Sequence, residues 1–226
     1  MRTNLFSALA GFFLAACTVQ PPVPLPDRHA TYPELFEENP TTIVVLPPAN
    51  FTNYPEATHA FYTTLFAPLI NAGYYVIPPL ATMQILRQEQ LDTVDLSERS
   101  AEMRELFGAD LVVHTYIQQW GKSFGLDTGE IVVEAEYFIV SAETGSTLFY
   151  RKTMGYCQVT AEVEGSWVLT LAASTLRTAA ISPERIAALC SESTFFDLPL
   201  GPYSPQYRTD QNMKAGPAEM LLRWGE

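Results

Sequence analysis

Two glutamates, Glu134 and Glu136, have the type and spacing that acid–base chemistry would use. Side chains of a β-strand alternate between its faces, so residues two apart point to the same face of a sheet. Paired carboxylates are the catalytic groups of glycoside hydrolysis. The alternative is a solvated sheet face, with Val133, Ala135 and Tyr137 turned inward, and the alternation favours this second interpretation.

Other motifs for catalysis are incomplete. Residues 121–123 read Gly-Lys-Ser, which is the end of a phosphate-binding loop. That loop needs a glycine five residues earlier and a helix afterwards, but position 116 is Tyr116 and the sequence predicts a hairpin turn. We therefore predict a polar turn here and no nucleotide site.

The three histidines, His29, His59 and His114, do not form a metal-binding pattern. None has a second histidine or a cysteine at the short spacings typical of zinc sites. His114 lies in the middle of a predicted strand, and we predict a core or sheet histidine whose titration is shifted by burial. The sequence therefore predicts no catalytic residue, no cofactor and no metal.

The N-terminus indicates a different kind of chemistry. Arg2 precedes a short apolar run over residues 5–13, and Leu-Ala-Ala at 14–16 leads directly into Cys17. This layout is typical of a secretory signal, and the run is shorter than the roughly 20 apolar residues of a membrane span. A cysteine directly after Leu-Ala-Ala is the lipobox of bacterial lipoproteins, in which the thiol is acylated. We predict a signal peptide over residues 1–16 and lipidation of Cys17; the alternative is an ordinary signal peptide with a chance cysteine.

The composition of the chain limits the classes of molecule that it can bind. The 226 residues are 47% hydrophobic and 17% charged, as in a globular protein with a core, and the formal net charge is −12. So acidic a chain is repelled by nucleic acid and by anionic lipid head groups. We expect no nucleic-acid partner, and attachment to the membrane through acyl chains on Cys17. Thr18 favours the outer membrane, because an aspartate at that position favours retention in the inner membrane.

Cys157 and Cys190 are the two other cysteines. In an oxidising compartment they can form a disulfide. Two buried free thiols that behave as small hydrophobic groups are the alternative. Neither cysteine lies in a Cys-x-x-C motif or near a histidine in sequence, so a thiol nucleophile is not predicted.

Prolines divide the chain into segments. Residues 18–40 contain six prolines and little apolar periodicity. We predict a polyproline-like tether over residues 17–40, which includes the lipidated cysteine. An α/β domain is predicted over residues 41–195, and a tail rich in proline and glycine over residues 196–226.

Apolar patterns within the predicted domain indicate an α/β fold with a mixed sheet of about five strands and flanking helices. Short runs at 41–46 and 74–77 enclose a helical stripe at 55–72, which predicts a parallel β-α-β crossover. Pro68 should break this helix, and Gly73 should end it. Three longer strands at 110–119, 130–140 and 147–159 predict an antiparallel three-strand meander. Further helices are predicted at 80–90, 95–107 and 165–180 and from Ser182 onward.

Four further segments, together with the lipobox, carry a family resemblance: TIVVLPPANFT, INAGYYVIPP, LFGADLVVHTYIQQWG and LPLGPYSPQYRTD. In this order, over roughly residues 39–210, they resemble the family of bacterial lipoproteins catalogued as domain of unknown function 799. The resemblance implies an α/β sandwich related to the N-terminal domain of TolB and to the periplasmic part of the curli-secretion lipoprotein. It also implies relatives encoded beside a lipoprotein of that secretion-channel type, and it supplies no catalytic residues.

Two functions follow as hypotheses. The first is a non-enzymatic accessory or binding module, anchored in the outer membrane and facing the periplasm, that binds another envelope protein. The second is an envelope hydrolase that uses Glu134 and Glu136. A polar cleft holding both glutamates would favour the hydrolase, and a flat apolar patch with a polar rim would favour the binding module. Aromatic residues near predicted turns are candidates for such a patch: Phe51, Tyr54, Trp120, Phe124, Tyr203 and Tyr207.

The lipobox makes the first testable prediction. Cys17→Ser removes the thiol that would be acylated, so the variant should lose its lipid and either leave the membrane or accumulate as precursor. Membrane fractionation and mass spectrometry of the N-terminus measure both results. Full anchoring of the Cys17→Ser protein would contradict the prediction.

Overall fold

Seven β-strands form one mixed sheet in the computed structural model, which describes residues 24–91, 99–124, 128–160 and 182–225. In chain order the strands are β1 (Thr42–Val45), β2 (Ala49–Asn50), β3 (Tyr75–Val76), β4 (Leu111–Phe124), β5 (Thr128–Ser141), β6 (Thr147–Thr160) and β7 (Glu219–Gly225). The helices of the described ranges are α1 (Arg28–Thr31), α2 (Pro33–Glu38), α3 (Glu56–Thr64), α4 (Phe66–Asn71), α5 (Pro79–Gln88), α6 (Ser100–Phe107) and α7 (Pro183–Phe195). The order across the sheet is β3-β1-β4-β5-β6-β7, and β2 pairs with β4.

The parallel half of the sheet contains the predicted crossover. β1 pairs in parallel with β3 and with β4, and α3 and α4 lie between β1 and β3 in the chain. The predicted helix at 55–72 is divided at Leu65, because Pro68 has no N–H to donate to the Thr64 carbonyl. Gly73 follows α4 with a φ of +91°, a conformation that a side chain disfavours.

The predicted antiparallel meander is also confirmed. β4, β5 and β6 each contain 14 residues, and β5 pairs antiparallel with both neighbours. Along β5, Val133, Ala135 and Tyr137 are buried, and Glu134 and Glu136 between them point to the other face. The two glutamates therefore share one face of the sheet, and Val133, Ala135 and Tyr137 point to the other, as the alternation predicts.

Two features of the sheet differ from the prediction. The sheet has seven strands rather than about five, because β2 is added beside β4 and β7 pairs in parallel with β6 from within the predicted tail. Residues 121–123, predicted as a polar turn, lie within β4, because β5 pairs with all three of them.

Two apolar layers cover the sheet unequally. The main core lies under α3, α4 and α7, and Phe61 and Leu65 are fully buried in it. A smaller cluster lies under α5 and α6 on the opposite face, around Val44, Val112 and Met103. One face of the sheet is thus covered along much of its length, and the other mainly near β1.

The folded domain extends beyond residues 41–195 at both ends. From residue 28 the segment predicted as a tether forms α1 and α2, and Tyr32 and Leu35 are buried in the main core. In the segment predicted as a tail, Leu198 and Ala215 join the same core. Residues on both sides of the predicted domain therefore complete its interior.

The N-terminal segment is held by the tail. The backbone N–H of Arg28 donates to the Met213 carbonyl at 2.8 Å, and that of Ala215 donates to the Pro26 carbonyl at 2.9 Å. The Arg28 guanidinium pairs with the Asp210 carboxylate at 3.0 Å, and both side chains are nearly or fully buried. The start of the folded domain, at residues 26–28, is therefore held in place by residues about 185 positions later in the chain.

Two glycines permit a close crossing of the tail over the end of α4. A Cβ on Gly73 would lie 2.4 Å from the Ser204 nitrogen, and a Cβ on Gly201 would lie 2.5 Å from the Gly73 carbonyl oxygen. Backbone N–H groups of Gly201 and Tyr203 donate to the carbonyls of Ala72 and Gly73 at 2.8 and 2.9 Å. A side chain at either glycine would separate these backbones.

A second, fully buried ion pair joins the tail to the sheet. Arg151 of β6 donates two hydrogen bonds to the Asp197 carboxylate, at 2.6 and 2.9 Å, and neither side chain is exposed. The Tyr32 hydroxyl donates to the same carboxylate at 3.0 Å, and so does the Gly216 N–H. Arg151 also donates to the Thr194 carbonyl at the end of α7 at 2.8 Å. The ion pair and its hydrogen bonds thus join four separate parts of the chain: the N-terminal segment at Tyr32, β6 at Arg151, the end of α7 with Asp197, and the tail at Gly216.

The Asp197 carboxylate is held in its charged form. Burial alone would raise its pKa, but hydrogen bonds from Arg151 and Gly216, the charge of Arg151 and the bond from Tyr32 together hold the pKa below its usual value. A buried carboxylate is stable only with such partners.

Several predictions lie outside the described residues. These are the signal peptide over residues 1–16, Cys17, the start of the third helix near Asp95, and the helix at 165–180. The helix predicted from Ser182 is confirmed: Pro183 opens α7, and the Ser182 hydroxyl accepts the Arg185 N–H at 3.2 Å.

The buried pair makes a stability prediction. Arg151→Met leaves Asp197 buried without its counter-ion, and should lower the free energy of unfolding by about 3–5 kcal/mol. Arg104→Met is the matched control, because it breaks an exposed pair with Glu143 and should cost far less. Denaturant unfolding followed by circular dichroism measures both. Equal losses in the two variants would contradict the structural role of the buried pair.

Candidate functional site

The sheet surface opposite the main core is the candidate functional site, here named the open face. Its central residues alternate with buried ones and pair across strands: Tyr116 with Glu136, Phe138 with Tyr150, and Glu136 with Lys152. All of these are partly exposed. Among the described helices, α5 and α6 pack on this side, and they cover the part near Val112. The remainder of the open face is formed by β4, β5 and β6.

Four aromatic rings cross the open face in a row. Ring centroids lie 6.2 Å apart from Phe51 to Tyr116, 5.6 Å from Tyr116 to Phe138, and 4.9 Å from Phe138 to Tyr150. These separations are typical of favourable aromatic pairs. Phe51 is 58% exposed at the end of the row. The row therefore offers a preformed apolar strip on the open face.

The two candidate catalytic glutamates flank this strip. The Glu134 carboxylate pairs with the Lys152 ammonium at 2.6 Å. Hydrogen bonding to Glu134 in turn raises the pKa of Lys152 above its usual value. Glu134 and Glu136 therefore lie among the rings and Lys152 on the open face, and neither lines the groove described next.

A groove of about 400 Å³ adjoins the open face at the edge of β4. Its walls are formed by the loop at 52–54, by residues 118–122 of β4 and by Val132 of β5. β2 pairs with β4 only at Tyr116 and Ile117, after which the chain turns away. Beyond Ile117, β4 pairs with β5 on one side and with no other strand of the described ranges. The groove thus lies along a sheet edge that β2 leaves uncovered.

A β-bulge directs two amides into this groove. Pairing passes from Ile117–Ala135 directly to Gln119–Glu134, so Gln118 is the additional residue. Consecutive strand residues normally point to opposite faces, but Gln118 and Gln119 are both exposed and both line the groove. A bulge re-aims side chains in this way.

The opposite wall is held by one asparagine. The Asn50 side-chain oxygen accepts the Thr52 N–H at 2.9 Å and the Thr52 hydroxyl at 2.7 Å. Its amide nitrogen donates to the Tyr54 carbonyl at 2.8 Å. Tyr54 is 42% exposed, and a Cβ on Gly121 would lie 3.7 Å from its ring. The loop that carries Tyr54 and Asn53 is therefore ordered without a ligand.

His114 lies beside the aromatic row and is a buried sheet histidine, as the sequence predicts. It pairs with Phe138 across β4 and β5 and is 5% exposed, and its Nε2 atom has no hydrogen-bond partner. Burial lowers the pKa of His114 to about 4. The neutral imidazole is therefore the form that fits the fold.

The six aromatic candidates from the sequence have different environments. Phe51, Tyr54 and Tyr203 are exposed, and Tyr207 is partly buried. Trp120 is buried and packs edge-to-face on Phe61, so it belongs to the core rather than to an interface. The Phe124 side chain lies outside the described part of the structure. Sequence reasoning missed Tyr116, Phe138 and Tyr150, although their alternation with buried residues was a usable signal.

The cysteines remain a prediction. As a thiol, Cys190 is fully buried on α7, and burial raises its pKa to about 12. The Cys157 side chain lies outside the described part, so the bridge and the two free thiols both stay open. A thiol with so high a pKa is not a nucleophile near neutral pH.

Within the described ranges, no helix has both the length and the apolar character needed to cross a bilayer. In the same ranges, no three acidic, histidine or cysteine side chains cluster so as to hold a metal ion.

These features define an α/β domain with one mixed sheet, on which the described helices leave an aromatic surface partly exposed. The chain belongs to the family described as "Putative lipoprotein GNA1162-like", whose model matches residues 30–188. The label of domain of unknown function 799 stays a prediction, as does the relation to TolB and the curli-secretion lipoprotein.

A protein sequence and a crystal structure from Neisseria meningitidis are similar to this chain. One from serogroup B, "Putative lipoprotein NMB1124/NMB1162", is 28% identical over 151 residues, which cover 66% of this chain and 68% of that protein. The crystal structure of lipoprotein GNA1162 superposes with a TM-score of 0.51 and 24% identity, over 63% of this chain and 100% of the other. The second likeness shows a shared fold.

His114 makes a prediction about pH. Its pKa is lower in the fold than the usual 6.5, so the unfolded chain binds more protons between about pH 6.5 and pH 4. The contribution to stability is complete above that range and is lost as the pH falls, by up to about 3 kcal/mol near pH 4. His114→Leu should flatten this dependence in denaturant unfolding. A similar pH dependence in wild type and His114→Leu would contradict the assignment.

Proposed function

We propose that the protein is a non-enzymatic accessory module of the bacterial envelope, and that it binds another envelope protein through the open face. The observation that carries this proposal is the row of four aromatic rings, Phe51, Tyr116, Phe138 and Tyr150, on a sheet face that also carries Glu134, Glu136 and Lys152. Aromatic anchors surrounded by polar groups are the usual composition of binding hot spots.

Rigidity supports the same proposal. The rings at Tyr116, Phe138 and Tyr150 stand on three long paired strands, and each contacts its neighbour. Side chains that are already ordered lose little conformational freedom when a partner binds. The open face therefore combines an apolar surface with a small entropic cost of association.

Anchoring by Cys17 is the second part of the proposal. Membership of a lipoprotein family supports acylation at this cysteine, and Thr18 favours the outer membrane. We infer a domain that faces the periplasm. The partner we propose is a lipoprotein of the secretion-channel type, in line with the resemblance drawn from the sequence.

An envelope hydrolase is the competing function, with Glu134 and Glu136 as the catalytic pair. A general acid and base must both reach a substrate held in a cleft. Glu134 instead pairs with Lys152, and both glutamates lie on the open face beside the aromatic row. The arrangement supports the binding module over the hydrolase.

Photocrosslinking in intact cells tests the proposal. Benzoylphenylalanine in place of Phe51 or Tyr150 keeps an aromatic ring at each position and should form a covalent adduct with an envelope protein. Tyr203 is the matched control, since it is 67% exposed on a loop of the tail. Adducts at Phe51 and Tyr150 but not at Tyr203 are the expected result.

Two results would contradict the proposal. One is the absence of adducts at both open-face positions, or equal labelling at Tyr203. The other is a loss of about 100-fold or more in turnover of envelope glycan or peptide by Glu134→Gln or Glu136→Gln, since a positioned acid or base contributes about 10²–10⁴-fold to a rate.

A further inference from the structure

We propose that the open face recognises an arginine side chain of the partner protein, with Glu136 as its counter-ion and the rings around Glu136 as its stacking surface. This inference rests on the proposed function and names the chemistry of the partner. The occupant is a basic segment of another protein, from which one arginine reaches Glu136.

The first argument is the position of Glu136 among three aromatic rings. Tyr116 lies opposite Glu136 on β4, and Phe138 follows two residues later on the same face of β5. Tyr150 pairs with Phe138, which places it diagonally from Glu136 across β5 and β6. All four side chains are partly exposed. A cation that approaches this carboxylate therefore also approaches aromatic rings.

The phenol of Tyr150 responds to the charge of this surface. Burial raises the pKa of Tyr150, and the negative charge of Glu136 raises it further. Glu219 and Glu134 act in the same direction, and Lys152 acts against them. Three carboxylates and one ammonium thus surround this ring, so the charge at this end of the aromatic row is negative. A cation is attracted there, and an anion is repelled.

The second argument is that the ammonium beside Glu136 is held by another carboxylate. Lys152 lies opposite Glu136 across β5 and β6, but its ammonium pairs with the Glu134 carboxylate at 2.6 Å. The charge of Glu134 also acts on Lys152 more strongly than that of Glu136 does. Within the part of the chain that the structure describes, Glu136 is in no ion pair. Its carboxylate can therefore accept hydrogen bonds from a cation of another molecule.

Arginine fits this arrangement better than lysine. A planar guanidinium can donate two parallel hydrogen bonds to one carboxylate and also stack on aromatic rings, whereas an ammonium is a strongly hydrated point charge. A cation within about 6 Å of a ring centre gains further attraction. Arg151 shows this combination inside the same protein, since it pairs with Asp197 and lies 5.1 Å from the centre of the Phe149 ring. The open face offers the same groups at its surface.

Charge and ring geometry distinguish among the occupants. A second copy of this chain would bring a net charge of −12 and the same acidic face, and the phosphates of lipids would be repelled. Sugars of a glycan would stack on rings that share a plane. The planes of Tyr116 and Phe138 instead meet at 81°, and those of Phe138 and Tyr150 at 47°. A basic segment of a different protein is therefore the occupant that matches the surface.

The test begins with the partner that photocrosslinking in intact cells captures. Benzoylphenylalanine at Phe51 leaves the three rings around Glu136 in place, and mass spectrometry maps the adduct to residues of the partner. Phe51 lies 6.2 Å from Tyr116, so an arginine is expected within about five residues of the crosslinked position. A crosslinked region without an arginine in that range would overturn the inference.

Calorimetry then measures binding of the purified mature protein, in detergent, to the captured partner. Glu136→Gln removes the charge but keeps the shape of the side chain, and should weaken binding by about 10-fold or more. Glu37→Gln is the matched control, because it removes the same charge from an exposed position of α2 on the side of the main core. It should change binding by less than about 3-fold. Equal effects of the two variants would overturn the assignment of Glu136.

A double-mutant cycle tests the pairing itself. Replacement of the partner's arginine by glutamine leaves this chain intact, and should weaken binding to the wild-type protein by about 10-fold or more. Combined with Glu136→Gln, the loss should be little larger than either single loss, because both changes remove the same contact. Single losses that multiply in the combination would overturn the pairing.

Tyr116 tests the stacking surface. Tyr116→Leu keeps an apolar side chain but removes the ring, and should weaken binding by about 3-fold or more. Tyr116→Phe is the matched control, since it keeps the ring and loses only the hydroxyl, and should bind as the wild type does. Equal binding by these two variants would overturn the role of the rings.

The failures of the two proposals are distinguishable. Adducts at Phe51 and Tyr150 whose partner binds without dependence on an arginine would overturn this inference and leave the binding module in place. The absence of adducts at both positions would overturn both. Adducts to a second copy of the chain, to a glycan or to lipid would overturn the assigned occupant.

Discussion

The Arg151–Asp197 pair is the interaction on which the arrangement of the chain depends. Arg151 is the largest fully buried side chain of the described residues, and its guanidinium lies 5.1 Å from the centre of the Phe149 ring and 5.4 Å from that of Phe196. Charge that is removed from water is stable only where geometry and hydrogen bonds replace its hydration. Here the replacement comes from Tyr32, Thr194 and Gly216 as well as from the two charges. The sheet, the N-terminal segment, α7 and the tail must therefore all be in place together.

Uneven coverage of the sheet is the second constraint. The parallel strands β1, β2 and β3 contain four residues or fewer, whereas the three meander strands contain 14 each. Helices that pack against the short strands cannot cover the whole of the long ones. The open face and the groove both follow from this mismatch, since one lies where α5 and α6 stop and the other where β2 stops.

The local pattern of the sequence was enough to predict the crossover and the meander, because each strand has a continuous apolar run or an alternation of its own. β7 was missed because residues 220–224 form a short apolar stretch whose only described strand partner is β6. The N-terminal helices were missed because prolines suggested a tether, although Pro33 occupies the first position of α2, where its missing N–H costs nothing.

The candidate site was less predictable than the fold. Alternation placed Glu134 and Glu136 on one face correctly, but which face stays uncovered depends on tertiary packing. Trp120 was predicted at an interface, and its burial depends on the bulge at Gln118, which turns Trp120 toward the core opposite Val133. A bulge leaves little trace in a single sequence, since it changes pairing rather than composition.

The backbone bonds between Pro26, Arg28 and the tail have a mechanical consequence. A pull on the first residues of the chain would reach residues 213–215 before it reached β1, the nearest strand in sequence. From there the tension would pass through Asp210 and Asp197 to Arg151 in the long meander. The short parallel strands would stay outside this path. A domain held by its N-terminus would thus transmit force through its most extensively paired strands.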